Sequence, residues 1–327
     1  MNKQNKHYQQ LTRNLRYQIS ALRKAGMSVR GIAEIVGVHF STVSRELNRN
    51  MTESGYSSSD AQQLCQLRKQ TARKAHKRTV KTDQIIRESL YLGWSPETIS
   101  QRLKLEYKKG GHLSHSIIYR RIVEDRQQGG HLHYHLPRFG KTRWKGGKRN
   151  KKAGVRLIPN RVDILQRPVV VDERKRLGDW EGDTVHGQNA HLVTLVDRTS
   201  RFTLVQRVFS KTKEEVANAM IDMFSKVHSV LTVTLDNGGE FADHVRVACK
   251  TGAMIFFAKP YASWQRGTNE NTNGRIRRFW PKKFDMATLT DEDIEGRILL
   301  LNLTPRKVLG GLTPLEVFTG RRVALIP

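Results

Sequence analysis

Residues 178–210 read GDWEGDTVHGQNAHLVTLVDRTSRFTLVQRVFS, and this stretch decides the fold of the second half of the chain. It contains three consecutive runs typical of β-strands, and the last two are rich in Val, Leu and Thr. Asp179, Glu181 and Asp183 occupy alternate positions of the first run, so they share one face of a strand. The pattern alone does not choose among these three acids.

The residues that follow complete an α/β pattern. TKEEVANAMIDMFSKV (212–227) predicts an amphipathic helix with Thr212 as its N-cap. LTVTLDNGGEF (231–241) predicts a buried strand that ends in a polar turn, and MIFFAKPY (254–261) predicts a fifth strand. Helical patterns continue to the end. The predicted order of elements is three strands, a helix, a strand, a helix, a strand and a helix. This is the order of the ribonuclease-H-like fold, of the type found in retroviral integrase cores.

Two further acids are placed to meet the first strand. Asp236 lies where the fourth strand ends, which is where functional groups collect in α/β sheets. Glu270 begins the helix after the fifth strand, with 33 residues between it and Asp236. Converging carboxylates repel one another unless a cation lies among them, and all-oxygen ligands favour magnesium or manganese. Two such ions, roughly 3.5–4 Å apart, suit phosphodiester chemistry.

Charge separates the two halves of the chain. Lys and Arg number 58 and Asp and Glu 30, a net charge of +28. Residues 1–178 hold 38 basic and 13 acidic side chains, whereas residues 179–327 hold 20 and 17. Solubility does not require such an excess in one half. The first half therefore indicates a polyanionic partner, and we expect double-stranded DNA.

The N-terminal 50 residues have the pattern of a helix-turn-helix domain. A helix ending near Gly26, a short helix capped by Ser28, a turn at Gly37 and a polar third helix follow one another. An ordinary three-helix bundle with a polar face is the alternative, which the charge disfavours. The predicted DNA contacts on the third helix are Ser41, Thr42, Ser44, Arg45 and Arg49.

A second helix-turn-helix pattern follows in WSPETISQRL (94–103) and LSHSIIYRRIVED (113–125), with Ser95 and Ser114 as N-caps. We expect Arg120 and Arg121 to lie near its surface and contact DNA. KTRWKGGKRNKK (141–152) predicts a flexible basic linker in which Lys145, Lys148 and Arg149 bind DNA. The expected organisation is an N-terminal helix-turn-helix domain (1–60), a basic linker helix with a second helix-turn-helix (61–130), a basic flexible linker (131–172) and the catalytic domain with C-terminal helices (173–327).

Six segments resemble one family, the DDE transposases of the insertion sequence 30 family. They are GMSVRGIAEIVGVHFSTVSRELNRN, WSPETISQRL, GDWEGDTVHG, TLDNGGEF, PYASWQRGTNENTNGRIRRFWPK and LNLTPRKVLGGLTPLEVF, in the family's order over nearly the whole chain. The resemblance implies that Asp183 is the first catalytic acid and metal ligand, with Asp236 and Glu270 as the other two. The chain departs from the family pattern in the segments GRIRR and PKKFD. These differences add positive charge or bulk and leave the triad intact.

The resemblance implies binding of terminal inverted repeats, metal-dependent cleavage at the element end and strand transfer into target DNA. It also implies a homo-oligomer on DNA and no small-molecule substrate. Basic residues around Glu270 are expected to touch phosphates, namely Arg266, Arg275, Arg277 and Arg278. The alternatives are a DNA-binding repressor and a ribonuclease-H-like nuclease without strand transfer, and the intact triad and tandem DNA readers argue against them.

The sequence contains no run of 18 apolar residues, so we expect no membrane span. Cys65 and Cys249 lie far apart and are interpreted as reduced, buried thiols. We therefore expect a cytoplasmic, nucleoid-associated bacterial protein.

Overall fold

The computed structural model describes residues 10–71, 79–107, 112–137, 139, 158–260 and 262–325. The chain divides into two compact units, residues 1–76 and residues 77–327. The predicted DNA contacts Lys145, Lys148 and Arg149 lie outside the described residues. No helix in the described part combines the length and apolar composition that a membrane crossing needs.

The first unit has the predicted helix-turn-helix. Its elements are α1 (Arg13–Lys24), α2 (Val29–Val36), α3 (Phe40–Asn50), β1 (Met51–Thr52), β2 (Gly55–Tyr56) and α4 (Ser58–Thr71). Ser28 caps α2 through its side chain, and Gly37 ends that helix in left-handed backbone at φ 73°. Its buried core consists of Ile19, Ile32, Ala33, Val43 and Leu47. The fourth helix, α4, packs against α1 and α3.

The second unit begins with three helices, α5 (Val80–Tyr91), α6 (Pro96–Glu106) and α7 (His115–Gln127). The side chains of Ser95 and Ser114 cap α6 and α7, as the sequence predicts. The buried core of this part includes Ile86, Leu90, Ile99, Leu103, Ile118 and Ile122. Of the predicted linker 131–172, the described residues include a short turn of helix at 132–135 and the segment from 158, where Ile164 is buried.

A five-stranded sheet forms the centre of the second unit. Its strands are β3 (Asp179–His186), β4 (His191–Asp197), β5 (Thr203–Val208), β6 (Thr232–Leu235) and β7 (Met254–Phe257). The spatial order is β5-β4-β3-β6-β7. The first three strands pair antiparallel, while β3, β6 and β7 pair parallel. The predicted ribonuclease-H-like fold is confirmed.

Helices cover both faces of the sheet. They are α8 (Val170–Glu173), α9 (Lys213–Ser225), α10 (His244–Thr251), α11 (Gly267–Phe279), α12 (Asp291–Leu303) and α13 (Pro314–Thr319). On one face Trp180 and Leu235 pack with Met220 and Phe224 of α9. On the other face Val185 packs with residues of α11 and α12. Because side chains alternate along β3, its acids Asp179, Glu181 and Asp183 face α11.

The C-terminal segment returns to the helical part of the second unit. Arg102 of α6 donates hydrogen bonds to both carboxylate oxygens of Glu316 in α13. Gly311 has φ 93°, and a Cβ there would lie 3.2 Å from Gln101 of α6. Close approach of the two segments therefore requires glycine at this position.

The two cysteines are free, as expected, but the prediction that both are buried is wrong. Cys249 is exposed and Cys65 is half-buried. Cys249 lies on a different side of α10 from the buried His244 and Val247, whereas Cys65 lies one turn after the buried Ala61 of α4.

Candidate active site

Two of the three acids on β3 are held by arginines. Asp179 accepts hydrogen bonds of 2.8 and 3.0 Å from Arg176. Glu181 is fully buried and pairs with Arg198 at 2.7 Å. The charge of a buried carboxylate that is paired in this way is compensated within the fold, and removal of its partner would destabilise the protein. Asp183 is the remaining acid on this face of the strand.

Asp183 lies beside Asp236 at the edge of the sheet. Strands β3 and β6 pair in parallel with Glu181 opposite Thr234, so the same register places Asp183 opposite Asp236. Burial raises the pKa of the Asp183 carboxyl, the nearby Arg266 opposes this effect, and the like charge of Asp236 adds to it. Two acids from separate strands therefore share one site.

Arg266 bridges the two aspartates. Its Nη1 lies 3.6 Å from Asp183 Oδ1, and its Nη2 lies 3.2 Å from Asp236 Oδ2. Nη1 also donates to the carbonyl of Gly182 at 3.0 Å. A cation already sits between these carboxylates, as the repulsion between them requires. In the structure Arg266 is the countercharge of the paired acids, and its contact with DNA phosphates stays a prediction.

Neighbouring groups fix the orientation of both carboxylates. Asn273 Nδ2 donates to Asp183 Oδ2 at 2.9 Å, and the N–H of Thr184 donates to Asp183 Oδ1 at 2.9 Å. The N–H of Gly238 donates to Asp236 Oδ1 at 2.9 Å. Each aspartate oxygen can accept more than one hydrogen bond, and each carboxylate has one oxygen beside Arg266.

Glu270 occupies the first turn of α11 and is exposed. It follows Arg266 by four residues and precedes Asn273 by three, so all three lie on one helix face. Glu270 forms no hydrogen bond or ion pair with any residue that the structure describes. No group of three acid, His or Cys side chains in the described ranges is close enough to hold a metal ion. The structure brings Asp183 and Asp236 together, with Glu270 on the adjacent helix.

A second polar cluster adjoins the paired acids. The carboxylate of Glu240 accepts a hydrogen bond of 2.9 Å from Thr184 Oγ1 and pairs with Lys211. Lys211 Nζ also lies 3.0 Å from His186 Nε2. Burial opposes ionisation of Glu240, but the hydrogen bond from Lys211 lowers the pKa of its carboxyl. Sequence reasoning missed Lys211 because it lies in a loop without a motif.

Basic residues line a cavity beyond the end of β3. The cavity has a volume of about 570 Å³ and is lined by His186, Gly187, Gln188, Arg277, Lys282 and Lys283. Arg277 has one buried guanidinium nitrogen, Nη1, without a hydrogen-bond partner in the described part of the chain. Arg277 is one of the predicted DNA contacts.

The other predicted DNA contacts differ in exposure. Arg45, Arg49 and Arg120 are exposed, while Ser41, Thr42 and Ser44 on α3 are half-buried. The expectation that Arg121 lies near the surface is wrong, because its side chain is buried and pairs with Asp83 at 2.8 Å. Arg275 is half-buried and Arg278 is exposed on α11.

Two domain families match the chain. A helix-turn-helix domain matches residues 7–50, and an integrase core domain matches residues 173–263. The first match covers α1 to α3, and the second contains Asp183 and Asp236.

Three relatives are similar over nearly the whole chain. The transposase for insertion sequence element IS4351 of Bacteroides fragilis is 41% identical over 313 residues, which cover 94% of this chain and 95% of that protein. Transposase InsI for insertion sequence element IS30A of Escherichia coli is 36% identical, with coverage of 96% and 84%. The transposase for insertion sequence element IS1086 of Cupriavidus metallidurans is 32% identical, with coverage of 95% and 94%.

Proposed function

The chain belongs to the insertion sequence 30 family of DDE transposases, and we propose that Asp183, Asp236 and Glu270 are its catalytic acids. The observation that carries this proposal is the pair of aspartates on adjacent strands, bridged by Arg266. Structural acids on the same strand each have their own arginine, whereas this pair shares one. Glu270 is one helical turn from Arg266 and reaches solvent on the same side.

The integrase core depends on divalent metal ions. The donors available at the paired aspartates are carboxylate oxygens, and the single guanidinium of Arg266 leaves a net negative charge on the pair, so the residues fit a hard cation. We propose two Mg²⁺ ions, with Mn²⁺ as a substitute, held by Asp183, Asp236 and Glu270. When bound, such ions activate an attacking oxygen and stabilise the leaving oxygen of a phosphodiester.

The protein groups around the acids orient them. Asn273 and the N–H of Thr184 hold the two oxygens of Asp183, so this carboxylate presents the same edge throughout the reaction. The N–H of Gly238 does the same for Asp236. Preorganised carboxylates of this kind need no rearrangement at the moment of reaction.

The DNA substrate is held by basic residues outside the acid pair. We propose that α3 reads the terminal inverted repeats through Arg45 and Arg49, and that Arg277, Lys282 and Lys283 hold the phosphates near the cleavage site. Water attacks the phosphodiester at the element end, which leaves a 5′-phosphate on the flanking strand and a 3′-hydroxyl on the element. That hydroxyl then attacks a phosphodiester of the target DNA, and the 3′-oxygen of the target strand leaves as a new bond joins element to target. Two element ends require two sites, so we propose a homo-oligomer on DNA, acting in the bacterial cytoplasm.

Cleavage of a duplex that carries the element-end repeat tests the proposal. We expect Asp183→Asn, Asp236→Asn and Glu270→Gln to bind this DNA and yield no cleaved or joined product in Mg²⁺. The matched control is Glu292→Gln, which changes an exposed glutamate in the first turn of another helix and should react like wild type. If Glu270→Gln cleaves at the wild-type rate, Glu270 is not the third acid. Binding without products in the wild type would indicate a repressor.

Metal binding can be measured without activity. Mn²⁺ should raise the melting temperature of the wild-type protein by mass action, because it binds only the folded state. The rise should disappear in Asp183→Asn and in Asp236→Asn. An equal rise in these variants would show that the ion binds elsewhere.

A further inference from the structure

Arg306 is a buried arginine without a countercharge. It follows α12 and is only 6% exposed. Its Nη2 donates to the carbonyl of Leu301 at 3.1 Å. Its Nε and Nη1 have no hydrogen-bond partner in the described part of the chain. A buried, unpaired guanidinium destabilises the folded protein, so its retention calls for a functional explanation.

The charged groups around Arg306 are also arginines. Burial lowers the pKa of Arg306 well below its ordinary value, and Arg275, Arg278 and Arg201 lower it further. Burial, together with Arg278, lowers the pKa of Arg275 to about 10. No described carboxylate forms an ion pair with Arg306, Arg275 or Arg201. We call Arg201, Arg275, Arg278 and Arg306 the arginine cluster.

The rest of the chain offers no acidic side chain to complete the cluster. The residues outside the described ranges include no Asp and no Glu. Burial lowers the pKa of Arg201, but Glu181 and Asp197 raise it, so Arg306 and Arg275 are the buried charges that an anion of another molecule would compensate.

The backbone conformation of Arg201 is a second, independent unfavourable feature of the arginine cluster. It lies in the turn between β4 and β5 in left-handed backbone, at φ 65°. Few residues other than glycine adopt this conformation, and such strain collects at functional sites. Its guanidinium donates to Thr268, in the first turn of α11. The turn thus directs Arg201 towards the helix that carries Arg275 and Arg278.

The position of the cluster on α11 relates it to Glu270. At about 100° per residue, Arg278 lies about 80° and Arg275 about 140° around the helix from Glu270. Arg275 lies about 7.5 Å from Glu270 along the helix axis. Two nucleotides of one DNA strand, with a rise of roughly 3.4 Å each, span a similar distance. Arg275 and Arg278 thus lie on a different side of α11 from Glu270.

We propose that Arg275 and Arg278 bind a backbone phosphate of the DNA substrate, and that the buried charges of Arg306 and Arg201 beneath them strengthen this contact. Arg306 acts through its field, since its unpartnered nitrogens are not at the surface. The uncompensated buried charge destabilises the protein without DNA, and a bound phosphate offsets part of this destabilisation. The proposal rests on the proposed function only in taking DNA as the polyanion.

The test measures DNA binding and stability without catalysis, in EDTA, so a failed triad assignment would not affect it. The variants are Arg306→Met, Arg306→Lys and Arg275→Met. The matched control is Arg246→Met, which removes one positive charge from an arginine that is already paired with Asp243. The probes are a duplex of element-end DNA, titrated at several salt concentrations, and inorganic phosphate alone.

We expect Arg306→Met to melt no lower than wild type without DNA, and to bind the duplex about three- to tenfold more weakly. Arg306→Lys should keep wild-type affinity because it keeps the charge. Arg275→Met should reduce the slope of log affinity against log salt by about 0.9, the value for one lost phosphate contact. Arg246→Met should leave the slope unchanged.

Two results would overturn the proposal. If Arg275→Met retains the wild-type affinity and salt slope, no phosphate is bound there, and this holds even if Arg306→Met fails to fold. If inorganic phosphate raises the melting temperature of the wild type but not of Arg306→Met, while both bind the duplex equally, the cluster takes a free anion and not DNA.

Discussion

The ion pair between Arg102 and Glu316 joins two segments of residues 77–327 that are far apart in sequence. Arg102 Nη1 lies 2.7 Å from Glu316 Oε2, and the two side chains are only 2% and 1% exposed. Arg102 also donates to the carbonyls of Gly311 and Val323. We predict that removing either charge separates α6 from α13, because the remaining charge would be buried and unpaired.

The pKa of Glu316 sets the size of the effect. Burial alone would raise the pKa of its carboxyl, but hydrogen bonds from Arg102 and from the N–H groups of Val323 and Thr313 lower it from 4.5 to about 2. A difference of about 2.5 pKa units corresponds to about 3 kcal/mol of stability. Because the folded-state pKa is lowered, this stability is present above pH 4.5. It is lost as the pH falls from 4.5 towards 2.

A double-mutant cycle in urea at pH 7 measures the pair. Arg102→Met and Glu316→Met should each lower the free energy of unfolding by about 3–5 kcal/mol. The double variant should lose less than the sum, with a coupling energy of about 2–3 kcal/mol. The control is Lys226→Met, which breaks an exposed pair with Asp222 and should cost less than about 1 kcal/mol.

Additivity would refute this reasoning. If the two single losses sum to the double loss within about 0.5 kcal/mol, the charges do not stabilise one another. A wild-type protein whose stability does not fall between pH 4.5 and pH 3 would contradict the lowered pKa of Glu316.

Three further variants test the sheet and its helices. A Cβ in Gly182→Ala would lie 2.5 Å from Leu235 Cδ2, so we expect the edge of the strand to be displaced. The variant should have a lower melting temperature and cleave DNA more slowly. A wild-type melting temperature together with a wild-type cleavage rate would contradict this prediction. Arg198→Leu leaves Glu181 buried and unpaired, so urea unfolding should show a loss of about 3–5 kcal/mol, and a loss below 1 kcal/mol would be too small. Thr290→Ala removes the N-cap of α12, which should lower the free energy of unfolding by about 1 kcal/mol. The melting temperature should fall by about 2–4 °C. An unchanged melting temperature would argue against a stabilising cap.

The order of elements could be predicted because their signals are local. The three strands from Asp179 to Val208 alternate or carry β-branched runs, and the caps Ser28, Ser95 and Thr212 stand immediately before their helices. Such signals can be interpreted without knowledge of the tertiary contacts. The same holds for the position of Asp236, at a strand end.

The pairing of charges could not be predicted in the same way. Arg121 was expected near the surface together with Arg120, yet Asp83, 38 residues earlier, pairs with it. The bridge that Arg266 makes between acids of two strands was not predicted either, while its contact with DNA stays a prediction. Such partners depend on the assembled fold, and the sequence between them carries no periodic signal.

Charge balance separates the acid that is proposed to act from those that hold the fold. Asp179 and Glu181 each have an arginine of their own, and both carboxylates are buried. Asp183 and Asp236 share the single guanidinium of Arg266 among the residues that the structure describes. One positive charge cannot neutralise two carboxylates, so a net negative charge remains at the edge of β3 and β6. A cation added at this edge would reduce the repulsion between the two carboxylates, and the same charge argument favours Asp183 over Asp179 and Glu181 as the acid proposed to act.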